Sequence, residues 1–305
     1  MASYIALTLT LSLLCFLTLS LANNGKIAVY WGQDAEDGSL KSTCESGNYN
    51  IVFISFLNTF GCRRNPTLNL DAHCGPNMDK PCTILSSETE VCQNKGVKVL
   101  LALGGQTPTY SLCSASDAKV VATYLYDNFL SAQNGPLGNV SLDGIHFDIQ
   151  SGSNLYWDNL FHELDSIRYR ASGSASSFIL SAAPSCFLPD PFLDATIKTG
   201  NLDHIFIRFY NSPVCQYSAD GVLSLINSWN AWTANVLGGI SLFMELPASP
   251  DAASNGGYIE PSNFTTQVLP YINTTSSYAG VALWDRSHDV KSLYSNKIKP
   301  GIIMI

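Results

Sequence analysis

The sequence predicts an α/β fold, a single (β/α)8 TIM barrel, on three observations. Short apolar runs recur eight times along the chain, segments of helical length lie between most of them, and no linker or low-complexity stretch divides them. The runs are Ile27 to Trp31, Ile51 to Leu57, Val97 to Leu103, Leu142 to Ile149, Phe178 to Ala183, Ile205 to Tyr210, Ile240 to Leu246 and Tyr278 to Trp284. Helical spacing is clearest in Asp117 to Ser131, Leu155 to Arg170, Leu223 to Val236 and Pro261 to Tyr271. An open doubly wound sheet would need a Gly-rich phosphate turn after an early strand, and Gly104-Gly105 is too little for that.

Composition bounds the partners. The 305 residues are 46% hydrophobic and 13% charged, enough to bury a sizeable core and far from a disordered balance. Lys plus Arg total 16 against 24 Asp plus Glu, a net charge of −8. That sign argues against nucleic acid and anionic membranes, which are bound through counterion release or basic patches. Residues 1–22 carry no charge and end in Ser20-Leu21-Ala22, the small-residue pattern of a cleaved signal peptide. A membrane anchor would need a steadier apolar run with basic flanks. The expected division is therefore a signal peptide at 1–22 and a barrel at 23–305, secreted or vacuolar, soluble and monomeric.

Cys15 leaves with the signal, and the eight remaining cysteines read as disulfides. Cys62, Cys74, Cys82 and Cys92 lack paired zinc-ribbon spacing and have only His73 nearby, so no metal and no cofactor is expected. Sequons at Asn139, Asn263 and Asn273 permit glycosylation where exposed.

A barrel of this kind places its chemistry at the C-terminal strand ends. Those ends carry Tyr30-Trp31-Gly32-Gln33, Asn58, Gly104-Gly105, Asp148-Ile149-Gln150, Tyr210-Asn211, Glu245 and Trp284-Asp285. Rings that stack and amides or acids that hydrogen-bond suit a sugar. Trp31 and Trp284, on strands that become neighbours on closure, strengthen that expectation. Along the fourth strand, alternation points Gly144, His146, Asp148 and Gln150 into the lumen and Ile145, Phe147 and Ile149 outward.

That strand, Asp143-Gly144-Ile145-His146-Phe147-Asp148-Ile149-Gln150, resembles the Asp-Gly-x-Asp-x-Asp-x-Glu motif of glycoside hydrolase family 18, the plant class III chitinases. Ala28 to Gln33, Leu103-Gly104-Gly105, Ser181 to Pro184, Phe209-Tyr210-Asn211 and Leu283-Trp284 extend the likeness over nearly the whole mature chain. The resemblance implies that Asp148 and Tyr210 hold the sugar's acetamido group, with Tyr30, Gln33, Asn58, Gly105 and Trp284 as further sugar contacts. It also implies disulfides Cys44 to Cys92, Cys74 to Cys82 and Cys186 to Cys215. Cys62 and Cys113 are extra, and a fourth bond and free thiols both remain open.

Two positions depart from the motif. Gln150 stands where the family has its general acid, and His146 replaces an Asp. A carboxamide releases no proton near neutral pH, which removes a step worth about 10² to 10⁴ in rate. The pair resembles non-hydrolytic seed members of the family more than active chitinases. On the sixth strand Arg208 should enter the lumen and pair with Asp148 or Glu245. Glu245 is expected as a satisfied structural carboxylate, ionised because Arg208 lowers its pKa. His146 lacks a nucleophile beside it, and Arg208 argues against a cation held by His146, Asp148 and Glu245. The expectation is a barrel that has lost hydrolysis but keeps a cleft for chitin-type N-acetylglucosamine oligomers, serving defence or seed storage. The alternatives are an active endochitinase and a protein inhibitor of a foreign glycosidase.

Overall fold

A computed structural model of the chain describes residues 25–70, 73–75, 80–107, 109–131, 134–172, 178–218 and 221–303. The signal segment expected at 1–22 lies outside them. Among the described residues nine strands form one sheet: β1 (Lys26–Trp31), β2 (Ile51–Thr59), β3 (Thr67–Leu68), β4 (Lys98–Gly105), β5 (Gly144–Ile149), β6 (Ile179–Ala182), β7 (His204–Arg208), β8 (Ser241–Pro247) and β9 (Tyr278–Trp284). Their order is β1-β9-β8-β7-β6-β5-β4-β2-β3, and β1 also pairs β2. Every pairing but β2 with β3 is parallel, so eight strands close into the barrel the apolar runs predict. The additional β3 is a two-residue antiparallel strip along the mouth end of β2.

Helices fill the crossovers: α1 (Leu40–Glu45), α2 (Leu85–Asn94), α3 (Ala115–Leu125), α4 (Trp157–Ser172), α5 (Asp194–Ile197), α6 (Leu223–Asn235), α7 (Pro261–Asn263), α8 (Leu269–Ile272), α9 (Arg286–Ser292) and α10 (Tyr294–Ile303). The four segments read as helical become α3, α4, α6 and the α7 to α8 stretch; α3 and the last stretch run through π-helical turns at Tyr126–Leu130 and Phe264–Val268. Ser114 and Asp285 cap α3 and α9, their side chains accepting from the N–H groups of Asp117 and His288.

Strand alternation separates two cores. Ile27, Val29, Ile145, Phe147, Ile149, Leu180 and Ile207 pack outward with the helices, whereas Ala28, Tyr30, Phe53, Leu100, Ala102, Phe206 and Phe243 fill the lumen. Trp31 therefore corrects an expectation. It lies in the outer core, 1% exposed, with its Nε1–H donated to the Gly38 carbonyl and its ring on His73, so it packs and does not face a sugar. On β2 a register shift between Ser55 and Leu57 turns Phe56 into the lumen beneath Trp284.

Four disulfides staple the loops. Cys44–Cys92, Cys74–Cys82 and Cys186–Cys215 are those the resemblance implies, and Cys62–Cys113 joins the segments after β2 and β4 with a Cα separation of 5.2 Å. Asp117 accepts from the N–H groups of both Cys62 and Cys113, locking that junction to the start of α3. These sulfurs and Asp117 lie close together, but bonded sulfurs cannot act as thiolate ligands. Non-reducing peptide mapping should recover the Cys62–Cys113 peptide, and replacing both residues by Ser should lower the denaturant-derived stability by about 2–4 kcal/mol.

Candidate functional site

The fourth barrel strand, β5, delivers the polar residues. His146 is fully buried and stacks on Phe53, ring centroids 4.0 Å apart, with Nδ1 2.8 Å from Ser181 Oγ and Nε2 2.9 Å from Tyr30 Oη. Burial, then Arg208 and His204, hold its pKa well below the ordinary histidine value, so it is neutral. Two residues on, Asp148 is 1% exposed and accepts the Gln150 carboxamide N–H₂ on both oxygens, at 2.8 and 3.0 Å. Tyr110, whose hydroxyl donates to the Gly105 carbonyl at 2.6 Å, accepts the Gln150 backbone N–H at 3.1 Å and fixes where that residue leaves the strand.

Glu245 on β8 stands opposite. Tyr30 donates to its Oε2 at 2.9 Å and Tyr210 to its Oε1 at 2.6 Å. Burial, then the charge of Asp148, pushes its pKa up to about 8, against the opposing pull of Arg208 and the two tyrosines. This reverses the expectation that Arg208 keeps it low: at 1% exposure the loss of hydration outweighs one cation. Its expected role as a satisfied carboxylate fits the two tyrosine bonds. Arg208 does enter the lumen, and its Nη1 lies 3.8 Å from Asp148 Oδ1, an ion pair longer than a hydrogen bond. Asp148 is raised as well, burial exceeding the pull of Arg208 and Gln150.

The strand-end residues divide into two groups. Tyr30, His146, Asp148, Tyr210, Glu245 and Arg208 converge in the lumen. Trp284 is half-buried at the mouth, edge-on to Tyr30 at 5.2 Å and near-parallel to Phe56 at 6.0 Å. Gly105 has φ +84° and sits against the Phe56 ring, where a Cβ would come within 3.2 Å. Gln33 is exposed, and its carboxamide nitrogen is donated to the Ser55 and Asn69 carbonyls, so it braces the mouth. Asn58 is half-buried beside the disulfide junction, its carbonyl accepting from Thr109. Sequence reasoning missed Ser181, Tyr110 and Phe56. Alternation alone would have found Ser181, which lies between the outward Leu180 and Ala182; the other two depend on a loop and a register shift.

A closed parallel barrel whose fourth strand brings Asp148 and Gln150 to a Trp-sided mouth has the architecture of the glycoside hydrolase barrels. The sequence model described as glycosyl hydrolases family 18 matches residues 26–235, and the chain belongs to that family. Among its relatives, concanavalin B of Canavalia ensiformis is 51% identical over 94% of this chain and 89% of its own length. An acidic endochitinase of Cicer arietinum is 45% identical over 95% and 96%. The concanavalin B structure superposes with a TM-score of 0.87, covering 92% of this chain and 99% of that one. That of a xylanase and alpha-amylase inhibitor protein from Scadoxus multiflorus superposes with 0.82 at 40% identity, covering 90% and 97%.

The raised pKa of Glu245 links stability to pH. An acid raised from 4.5 to about 8 holds a proton in the folded state that the unfolded chain has lost, so its contribution to stability falls as pH rises through that window. In Glu245→Gln this loss is absent. The difference in denaturation midpoint between the variant and the unaltered chain should therefore shift in the variant's favour from pH 5 to pH 8.

Proposed function

We propose that the chain is a secreted chitinase-like barrel that has lost glycoside hydrolysis and holds N-acetylglucosamine oligomers at its mouth. The observation that carries this reading is Gln150. The residue at the acid position of the family motif has no proton to give, and its carboxamide is already committed to both oxygens of Asp148. The hydroxyl of Tyr210, which the family resemblance assigns to the acetamido group, is held by Glu245. Trp284 is the stacking face of this reading, and a bound acetamido group takes the place of the Gln150 carboxamide on Asp148 and of Glu245 on Tyr210. Secretion rests on the apolar 1–22 segment and the four disulfides. No helix among the described residues is long and apolar enough to cross a membrane.

A second reading, inhibition of a foreign glycosidase, is favoured by the 40% identity to the Scadoxus inhibitor protein. It makes the outer loops the working surface and leaves the lumen as packing. Inhibition of xylanase or α-amylase by a chain that does not bind chitotetraose would establish this second reading.

Hydrolysis of chitotetraose by the unaltered chain should stay at background. Restoring both carboxylates in the combined variant Gln150→Glu, His146→Asp should raise turnover by about 10² or more if the mouth admits the sugar. Turnover by the unaltered chain that vanishes in Asp148→Ala would overturn the non-hydrolytic reading.

A further inference from the structure

The guanidinium of Arg208 is the least satisfied charged group in the lumen. Its side chain is 13% exposed; among the described residues its Nε is buried without a partner, no acceptor is hydrogen-bonded to the guanidinium, and the 3.8 Å approach to Asp148 is its one ion pair. Both carboxylates within reach are turned elsewhere, Asp148 onto Gln150 and Glu245 onto Tyr30 and Tyr210. Buried N–H groups of a cation are costly to leave unmatched, and the planar fork of an arginine is matched best by a carboxylate that takes two parallel bonds. Trp284 supplies a ring face at the same mouth.

We propose that Arg208 anchors a carboxylate carried by a saccharide, so that the mouth takes hexuronate-containing oligosaccharides in preference to neutral ones. This deepens the saccharide reading above and rests on it. The groups facing Arg208 are Asp148 and His146 from β5, Glu245 from β8, Tyr30 from β1 and Tyr210 beyond β7. Below about pH 8 Glu245 holds its proton, and His146 and the tyrosines are neutral, which leaves Asp148 as the competing anion. Burial raises Asp148 as well, and as pH rises through about 8 Glu245 ionises and becomes a second anion beside Arg208 that competes with the ligand's carboxylate. Affinity for the acidic ligand therefore rises as pH falls, while affinity for a neutral one changes little.

The full chain is titrated by calorimetry and tryptophan fluorescence with two probes, chitotetraose and a tetrasaccharide alternating N-acetylglucosamine with glucuronate, at pH 5 and pH 8. The acidic tetrasaccharide is expected to bind about tenfold or more tightly than chitotetraose at pH 5 and to lose most of that advantage at pH 8. Arg208→Gln should weaken the acidic probe at least about tenfold more than the neutral one, and Arg208→Lys should recover part of the difference. Equal binding of the two probes, or a preference untouched by Arg208→Gln, would overturn the inference while leaving a chitotetraose-binding mouth intact. Should the variant fail to fold, the pH series on the unaltered chain decides. Binding of neither probe would remove the saccharide reading, and this inference with it.

Discussion

Burying two carboxylates and a guanidinium inside one barrel is the constraint on which the rest of the lumen depends. Charges moved out of water are tolerated where hydrogen bonds replace hydration, and each carboxylate here has its own donors. Glu245 is met by two tyrosine hydroxyls and Asp148 by one carboxamide. These assignments propagate. When Glu245 is ionised the single Tyr30 hydrogen points at it, so Tyr30 Oη accepts from His146 Nε2–H, and Nδ1 accepts from Ser181. Neutrality of His146 follows from the same burial: a charged ring would need an acceptor at each nitrogen while lying beside Arg208.

The barrel provides the positions. Parallel register sets Arg208 beside Glu245 and Gly104 beside Asp148, and strand parity then decides which side chains share the lumen. Aromatic packing fills the space below. Phe206 lies near-parallel to Phe243 at 4.4 Å and meets Phe53 edge-on at 5.0 Å, with His146 against both Phe53 and Phe206. This apolar floor buries the polar cluster, and burial is the first cause of the raised pKa of both Glu245 and Asp148.

The barrel itself was legible because its signal is periodic. Apolar runs and parity report on backbone geometry that every strand repeats, so all eight barrel strands and the inward set Gly144, His146, Asp148 and Gln150 could be read directly. Trp31 shows parity being overlooked: with Tyr30 inward, its neighbour had to face the helices. The pKa of Glu245 was not legible for a different reason. Adjacency to Arg208 could be inferred from register, but the outcome depends on burial, on the 3.8 Å separation of Arg208 from Asp148, and on which oxygens the tyrosines reach. None of these is periodic. The partners of Gln33 were not legible either, since its carboxamide nitrogen donates to carbonyls of β2 and of the segment after β3, which no local pattern brings together.

Gln150 and Glu245 answer to one electrostatic limit. The charge of Asp148 already raises Glu245, and a carboxylate at 150, as close to Asp148 as the present carboxamide, would be a third acid in the same space. At effective dielectric values near 20, like charges at about 4 Å repel by about 4 kcal/mol, about three pKa units, so an acid placed there would be raised toward neutrality. A carboxamide avoids that repulsion and adds two donors, and Arg208 balances what remains. A neutral group at 150 is therefore the arrangement in which Asp148 gains a donor and no further charge. The Glu245 oxygens are taken up by Tyr30 and Tyr210, and the group beside them with no such hydrogen-bond match among the described residues is the cation, Arg208.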